Sequence, residues 1–146
     1  MTALAVAVVA ATALAAGVAT VRRRLVVVRV HGISMEPTLR DGQRVVVRRA
    51  GLDAVRTGQL VVFASLAGRP DGEPVPGDPP WMVKRAVAVP GDPVPPELIA
   101  HRHGGEARVP AGRLVALGDN RSASFDSRRA GYVDGATLLG VVSRVL

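Results

Sequence analysis

The chain has 146 residues, 48% hydrophobic and 21% charged, with no cysteine and a formal net charge of +7. This composition excludes a disordered tail, a disulfide scaffold, thiolate metal centres and a cysteine nucleophile. Of the 19 basic residues all but one are arginine, and the exception is Lys84. The four aromatics, Phe63, Trp81, Phe125 and Tyr132, are too few for a base-stacking platform, and no helix-turn-helix or zinc-finger spacing is present. Nucleic acid is therefore not the expected partner. A lipid bilayer fits the densest basic run, Arg22–Arg24, because that run follows an apolar segment.

That segment, Thr2–Thr20, is uncharged and dominated by Ala and Val. At 1.5 Å per residue its helix would span about 28 Å, close to the hydrocarbon core of a membrane. Residues 2–20 are expected to form a transmembrane anchor. A cleaved signal peptide with Ala13-Leu14-Ala15 as its small-x-small site competes, but no basic residue precedes the apolar run. A buried core helix would need an equally apolar partner elsewhere in the chain. The positive-inside rule assigns Arg22–Arg24, and with them the main domain, to the cytoplasm.

Beyond the anchor, short β-branched runs alternate with Gly, Pro and Asp. Leu25–Val30, Arg44–Val47, Gln59–Ala64, Val83–Val89, Arg113–Leu117 and Leu138–Leu146 read as strands. Gly68–Pro80, with five prolines, reads as a loop or hairpin tip, and Pro93–Pro96 and His103–Glu106 as turns. No helical periodicity appears after the anchor. The pattern predicts a mainly β fold: one compact antiparallel domain over residues 22–146, preceded by one N-terminal transmembrane helix.

Three segments carry chemistry. In Gly32-Ile33-Ser34-Met35-Glu36-Pro37-Thr38, Pro37 suits the first turn of a short helix, which places Ser34 where a strand ends and the chain bends. Ser34 is there either a helix N-cap or a nucleophile beside unpaired N–H groups. In Trp81-Met82-Val83-Lys84-Arg85, alternation sets Lys84 on one strand face with Met82, Ala86 and Ala88. Burial there should lower its pKa. At the ordinary lysine value only about one amine in a thousand is neutral near pH 7.5, and a general base must be neutral. Arginine cannot do this work, because its guanidinium does not deprotonate in proteins. The third segment, Gly118 to Arg128, is polar and turn-forming, with Asp119 and Asn120 suited to Asx-type contacts.

Taken together and in this order, the three segments resemble the signature boxes of the type I signal peptidases, membrane-bound endopeptidases with a Ser–Lys dyad. Gly32 through Thr38 match the serine box. Val83, Lys84, Arg85, Pro90, Gly91 and Asp92 match the lysine box, and Gly118 to Arg128 the third box. The resemblance implies Ser34 as nucleophile and Lys84 as general base, with backbone N–H groups near Gly32 and Ser34 as oxyanion donors. It also implies that Ser124 hydrogen-bonds the lysine and that Asp126 and Arg128 form a structural ion pair. Where some members carry a second serine, this chain has Gly32, like the Gram-positive members. Met82 stands where an aromatic is common, and Ser122 where Asp is usual. The short Pro93–Leu117 segment marks a minimal catalytic core.

The implied substrates are precursor proteins whose signal or leader peptides are cut after small-x-small motifs, with no metal or cofactor. The implied place is the cell membrane, single-pass, with the catalytic domain on the extracytoplasmic face, opposite to what Arg22–Arg24 indicate. Rival readings are a processing peptidase dedicated to one or a few precursors, a self-cleaving repressor, and a non-catalytic membrane-tethered interaction module. His31 lacks a nucleophile-elbow context, and His101-x-His103 lacks a third ligand at a recognisable spacing.

Overall fold

The structure is a computed structural model and describes residues 2–64, 81–99 and 105–146. The expected Gly68–Pro80 loop and the His101-x-His103 pair lie outside the described residues. Helix α1 runs from Thr2 to Arg24 and joins directly to strand β1, Leu25–Arg29. Along α1, Val6, Val8, Val9, Leu14 and Val18 are all exposed. Among the described residues no helix is long and apolar enough to cross a membrane.

The remaining strands are β2 (Arg44–Arg49), β3 (Leu60–Ala64), β4 (Trp81–Ala88), β5 (Arg113–Leu117), β6 (Val133–Asp134) and β7 (Leu138–Val145). They form one sheet in the order β1-β2-β7-β3-β4-β5-β6, with every neighbouring pair antiparallel. All six expected runs form strands, with ends differing by at most two residues. The two-residue β6 is too short to show alternation. Two single-turn helices also escape periodicity: α2, Pro96–Ile99, which takes up the end of the expected Pro93–Pro96 turn, and α3, Ser127–Ala130.

The central strands are buried on both faces, so their sequences read as continuous apolar runs rather than strict alternation. On one face Val28, Val45, Val47, Val62 and Val83 pack together under Met35 and Leu39. On the other, Val61, Phe63, Ala86, Leu114, Ala116 and Val141 form a second cluster. Adjacent residues such as Val61 and Val62 thus serve opposite faces, as the period of a strand requires. A third cluster around Leu98, Val109 and Leu117 fixes α2 against β5.

Candidate active site

Lys84 lies mid-strand in β4, in register with Val61 of β3, and is only 3% exposed. Its Nζ donates to Ser34 Oγ at 2.7 Å, across 50 residues of sequence. Burial pushes the Lys84 pKa down from the ordinary lysine value; Asp126 opposes this and Arg128 reinforces it. A less basic amine is what a proton acceptor needs. The nearby carboxylate does not hold the ammonium in place, because Asp126 already has a partner. Arg128 Nε lies 2.9 Å from Asp126 Oδ1 and Arg128 Nη2 lies 3.0 Å from Oδ2. This pair is the Asp126–Arg128 contact expected from the third segment, with the Asp126 side chain fully buried.

Asp126 also caps α3 by accepting from the Arg128 N–H, and it accepts from the Gly118 N–H at 2.9 Å. Burial alone would push its carboxyl up. The Arg128 guanidinium, the Gly118 N–H, Ser124 and the Arg128 N–H outweigh burial and bring it down to about 2. Ser124 is buried beside this carboxylate without a well-directed hydrogen bond. The bond expected from Ser124 to Lys84 is not made.

The segment carrying Ser34 is not the short helix expected around Pro37. It is a run of turns, closed by Glu36 N–H to Ile33 O at 3.1 Å and Leu39 N–H to Met35 O at 2.9 Å. The reason is non-local. In a helix the Ser34 carbonyl would accept from Thr38, but here it accepts from the Asn120 N–H at 3.0 Å. The Asn120 side chain donates Nδ2–H to Ile33 O at 3.2 Å, so one residue holds two consecutive carbonyls of the serine turn. Gly118 makes this approach possible: a Cβ there would stand 2.7 Å from the Ser34 carbonyl and collide with Ser124.

Gly32 has φ +77, a left-handed value that glycine adopts without strain. Its N–H, expected among the oxyanion donors, donates instead to Asp41 Oδ1 at 2.8 Å. Among the described residues the Ser34 N–H has no such competitor.

A second bridge ties the three segments together. Arg85 Nε and Nη2 grip the two Asp119 carboxylate oxygens at 2.8 and 2.6 Å, and Arg85 Nη1 donates to Gly58 O at 2.8 Å. Thr38 Oγ1 donates to Asp119 as well. Local sequence patterns do not indicate these contacts of Asn120, Arg85, Asp119, Thr38 and Asp41. For Thr38, Arg85, Asp119 and Asn120 the signal in the sequence is their place in the matched segments; Asp41 lies outside them and carries none. Among the described residues no cluster of His, Asp and Glu could hold a metal ion.

The site therefore presents a hydroxyl and a lysine amine in contact, inside a β scaffold, with turn carbonyls locked from behind. Comparison with known proteins agrees on its class. A family model described as signal peptidase, peptidase S26, matches residues 1–98 and 96–146. Signal peptidase IB of Staphylococcus aureus (strain COL) is 30% identical over 151 residues, spanning 78% of this chain and 73% of that protein. Signal peptidase I of Bacillus caldolyticus is 28% identical over 146 residues, spanning 77% and 74%. A solved signal peptidase I from Enterococcus faecalis V583 covers 61% of this chain and 97% of its own, at 20% identity and a TM-score of 0.42. With its family model matched along the whole length, the chain is a serine peptidase. It belongs to the signal peptidase family, peptidase S26.

Proposed function

We propose that this protein is a membrane-bound endopeptidase that removes signal or leader peptides after small-x-small motifs, with Ser34 as nucleophile and Lys84 as general base. The observation that carries the reading is the 2.7 Å contact between Ser34 Oγ and the buried Lys84 Nζ. When the amine is neutral it accepts the Ser34 proton, and Oγ forms a bond to the scissile carbonyl carbon. The carbonyl oxygen becomes an oxyanion, for which the Ser34 N–H is the available backbone donor. Lys84 then gives its proton to the leaving nitrogen as the C–N bond breaks. In the second half it takes a proton from water, whose oxygen attacks the acyl ester, and returns that proton to Ser34 Oγ as the ester C–O bond breaks.

Residues 2–20 are the anchor and 22–146 the peptidase domain in this reading. The support is an uncharged run and a helix that exposes apolar side chains along its described length. A helix that is hydrophobic all round belongs in a core or in a bilayer, and among the described residues Val6, Val8, Val9, Leu14 and Val18 of α1 stay exposed. The catalytic domain then faces the extracytoplasmic side, where precursors arrive; a reporter fused after Leu146 tests this orientation.

The function is tested by incubating detergent-solubilised protein with a small-x-small precursor peptide and locating the cut by mass spectrometry, beside Ser34→Ala. Cleavage after the second small residue, abolished in a folded Ser34→Ala protein, is the expected result. A folded wild-type protein that binds the peptide without cutting it would leave an interaction module.

A further inference from the structure

A cavity of about 310 Å³, within the usual range for ligand sites, opens between β3, β4, β5 and the chain around α3; neither Ser34 nor Lys84 lines it. Three of the four aromatic residues of the chain, Phe63, Phe125 and Tyr132, line it together with Met82. Phe125 is 42% exposed, an unusual position for one of so few large apolar side chains. Two observations connect the cavity to the reacting groups. Met82 shares the β4 face of Lys84, one strand repeat (about 7 Å) away. Asp126 both lines the cavity and acts on the Lys84 charge.

The chemistry then decides which part of a substrate faces this way. A base that takes the serine proton must hand it to the leaving nitrogen, so that nitrogen comes within hydrogen-bond reach of Lys84 Nζ. The segment that follows the scissile bond leaves from the lysine side of the site. At about 3.3 Å per residue an extended segment reaches the cavity within its first three residues.

Resting on the peptidase reading above, we propose that this cavity is a subsite for one apolar side chain among the first three residues of the departing segment. Its walls are mainly apolar and aromatic, with Ser127, Thr137 and Arg113 among its polar lining residues. The carboxylates that line it are each paired with an arginine: Asp126 with Arg128, and Asp134 with Arg113 at 3.1 Å. The subsite therefore selects for apolar bulk rather than for charge.

The test uses four peptides with one small-x-small half. The reference has Ala at the three positions after the cut, and each of the others has Leu at one of them. kcat/KM is measured for the full-length protein in detergent and for Ala130→Phe and Phe125→Ala. Ala130 is exposed at the end of α3 and lines the cavity, so a ring there fills it. The readout is the Leu-to-Ala ratio within each protein, which a general loss of activity does not move. The wild type should favour one Leu peptide by about tenfold. Both variants should bring that ratio to within about twofold of one. Cleavage of the reference with ratios near one at all three positions overturns the inference alone. So does a preference that survives Ala130→Phe unchanged. No cleavage of any peptide by folded wild-type protein overturns the peptidase reading and the subsite with it.

Discussion

Asn120 holds the Ser34 turn by its far end: its N–H donates to the Ser34 carbonyl at 3.0 Å while its side chain holds the carbonyl of Ile33. Removing the side chain leaves the backbone bond and costs two exposed hydrogen bonds, to Ile33 O and from Ser122 Oγ, about 1–2 kcal/mol of stability. Asn120→Ala should therefore stay folded, lower kcat by about tenfold through misplacement of Oγ, and change KM little. Gly118→Ala should be worse, because its methyl group meets the Ser34 carbonyl directly. Steady-state kinetics on a precursor peptide, with circular dichroism as the fold check, separates these outcomes.

The acid limb of kcat/KM should report Lys84. Burial lowers its pKa in the folded protein, so activity rises with pH through a value below that of ordinary lysine. The linked stability has the same sign. Below the folded pKa both states are charged and the native one bears the desolvation cost. That cost is relieved as pH rises from the folded toward the unfolded value, and above both it is absent. Lys84→Met should thus be inactive yet melt at a higher temperature than wild type at neutral pH.

Arg128 should set where that limb falls. It neutralises Asp126, which otherwise favours the charged amine. Arg128→Gln leaves the carboxylate unopposed and should move the limb to higher pH. Retention of the wild-type profile in a folded Arg128→Gln protein would show that the ion pair does not reach the lysine.

Asp126 itself predicts an acid window. Its folded value of about 2 lies below the unfolded value near 4. Its contribution of about 2 kcal/mol is complete above pH 4 and is lost as pH falls through 2. Urea midpoints measured between pH 4 and pH 2 should fall steeply for wild type. The slope should be shallower in Asp126→Asn, which is already weaker by about 3 kcal/mol at neutral pH because Arg128 loses its buried partner.

Arg85 shows why its type matters. It bonds both oxygens of Asp119 and the Gly58 carbonyl, a fork that a lysine ammonium cannot reproduce. Arg85→Lys should cost about 1–2 kcal/mol in thermal or urea unfolding despite keeping the charge.

These relationships mark what the sequence could and could not convey. The strands were legible because Val-rich runs such as Arg44–Val47 and Gln59–Ala64 are bounded by Gly, Asp and Pro, and strand propensity is local. Lys84 was legible because a lone lysine in an apolar strand conflicts with its surroundings. The serine turn reads as helical in the sequence because its hydrogen-bond partner, Asn120, is 86 residues away, and nothing near Pro37 announces it. The Gly32 N–H looks free for an oxyanion in the sequence for the same reason, since Asp41 reaches it only after the chain has turned. Contacts between segments distant in sequence leave no periodicity, and the geometry of this site is made almost wholly of them.

The central claim is that a neutral Lys84 takes the proton of Ser34. The rate at which Lys84→Arg cleaves a small-x-small precursor peptide, measured beside wild type and with the fold verified, tests it most directly. Arginine keeps the charge and much of the length but cannot deprotonate. The account predicts no cleavage above background by folded Lys84→Arg at any pH at which the protein is stable. Cleavage at a rate near that of wild type would contradict it.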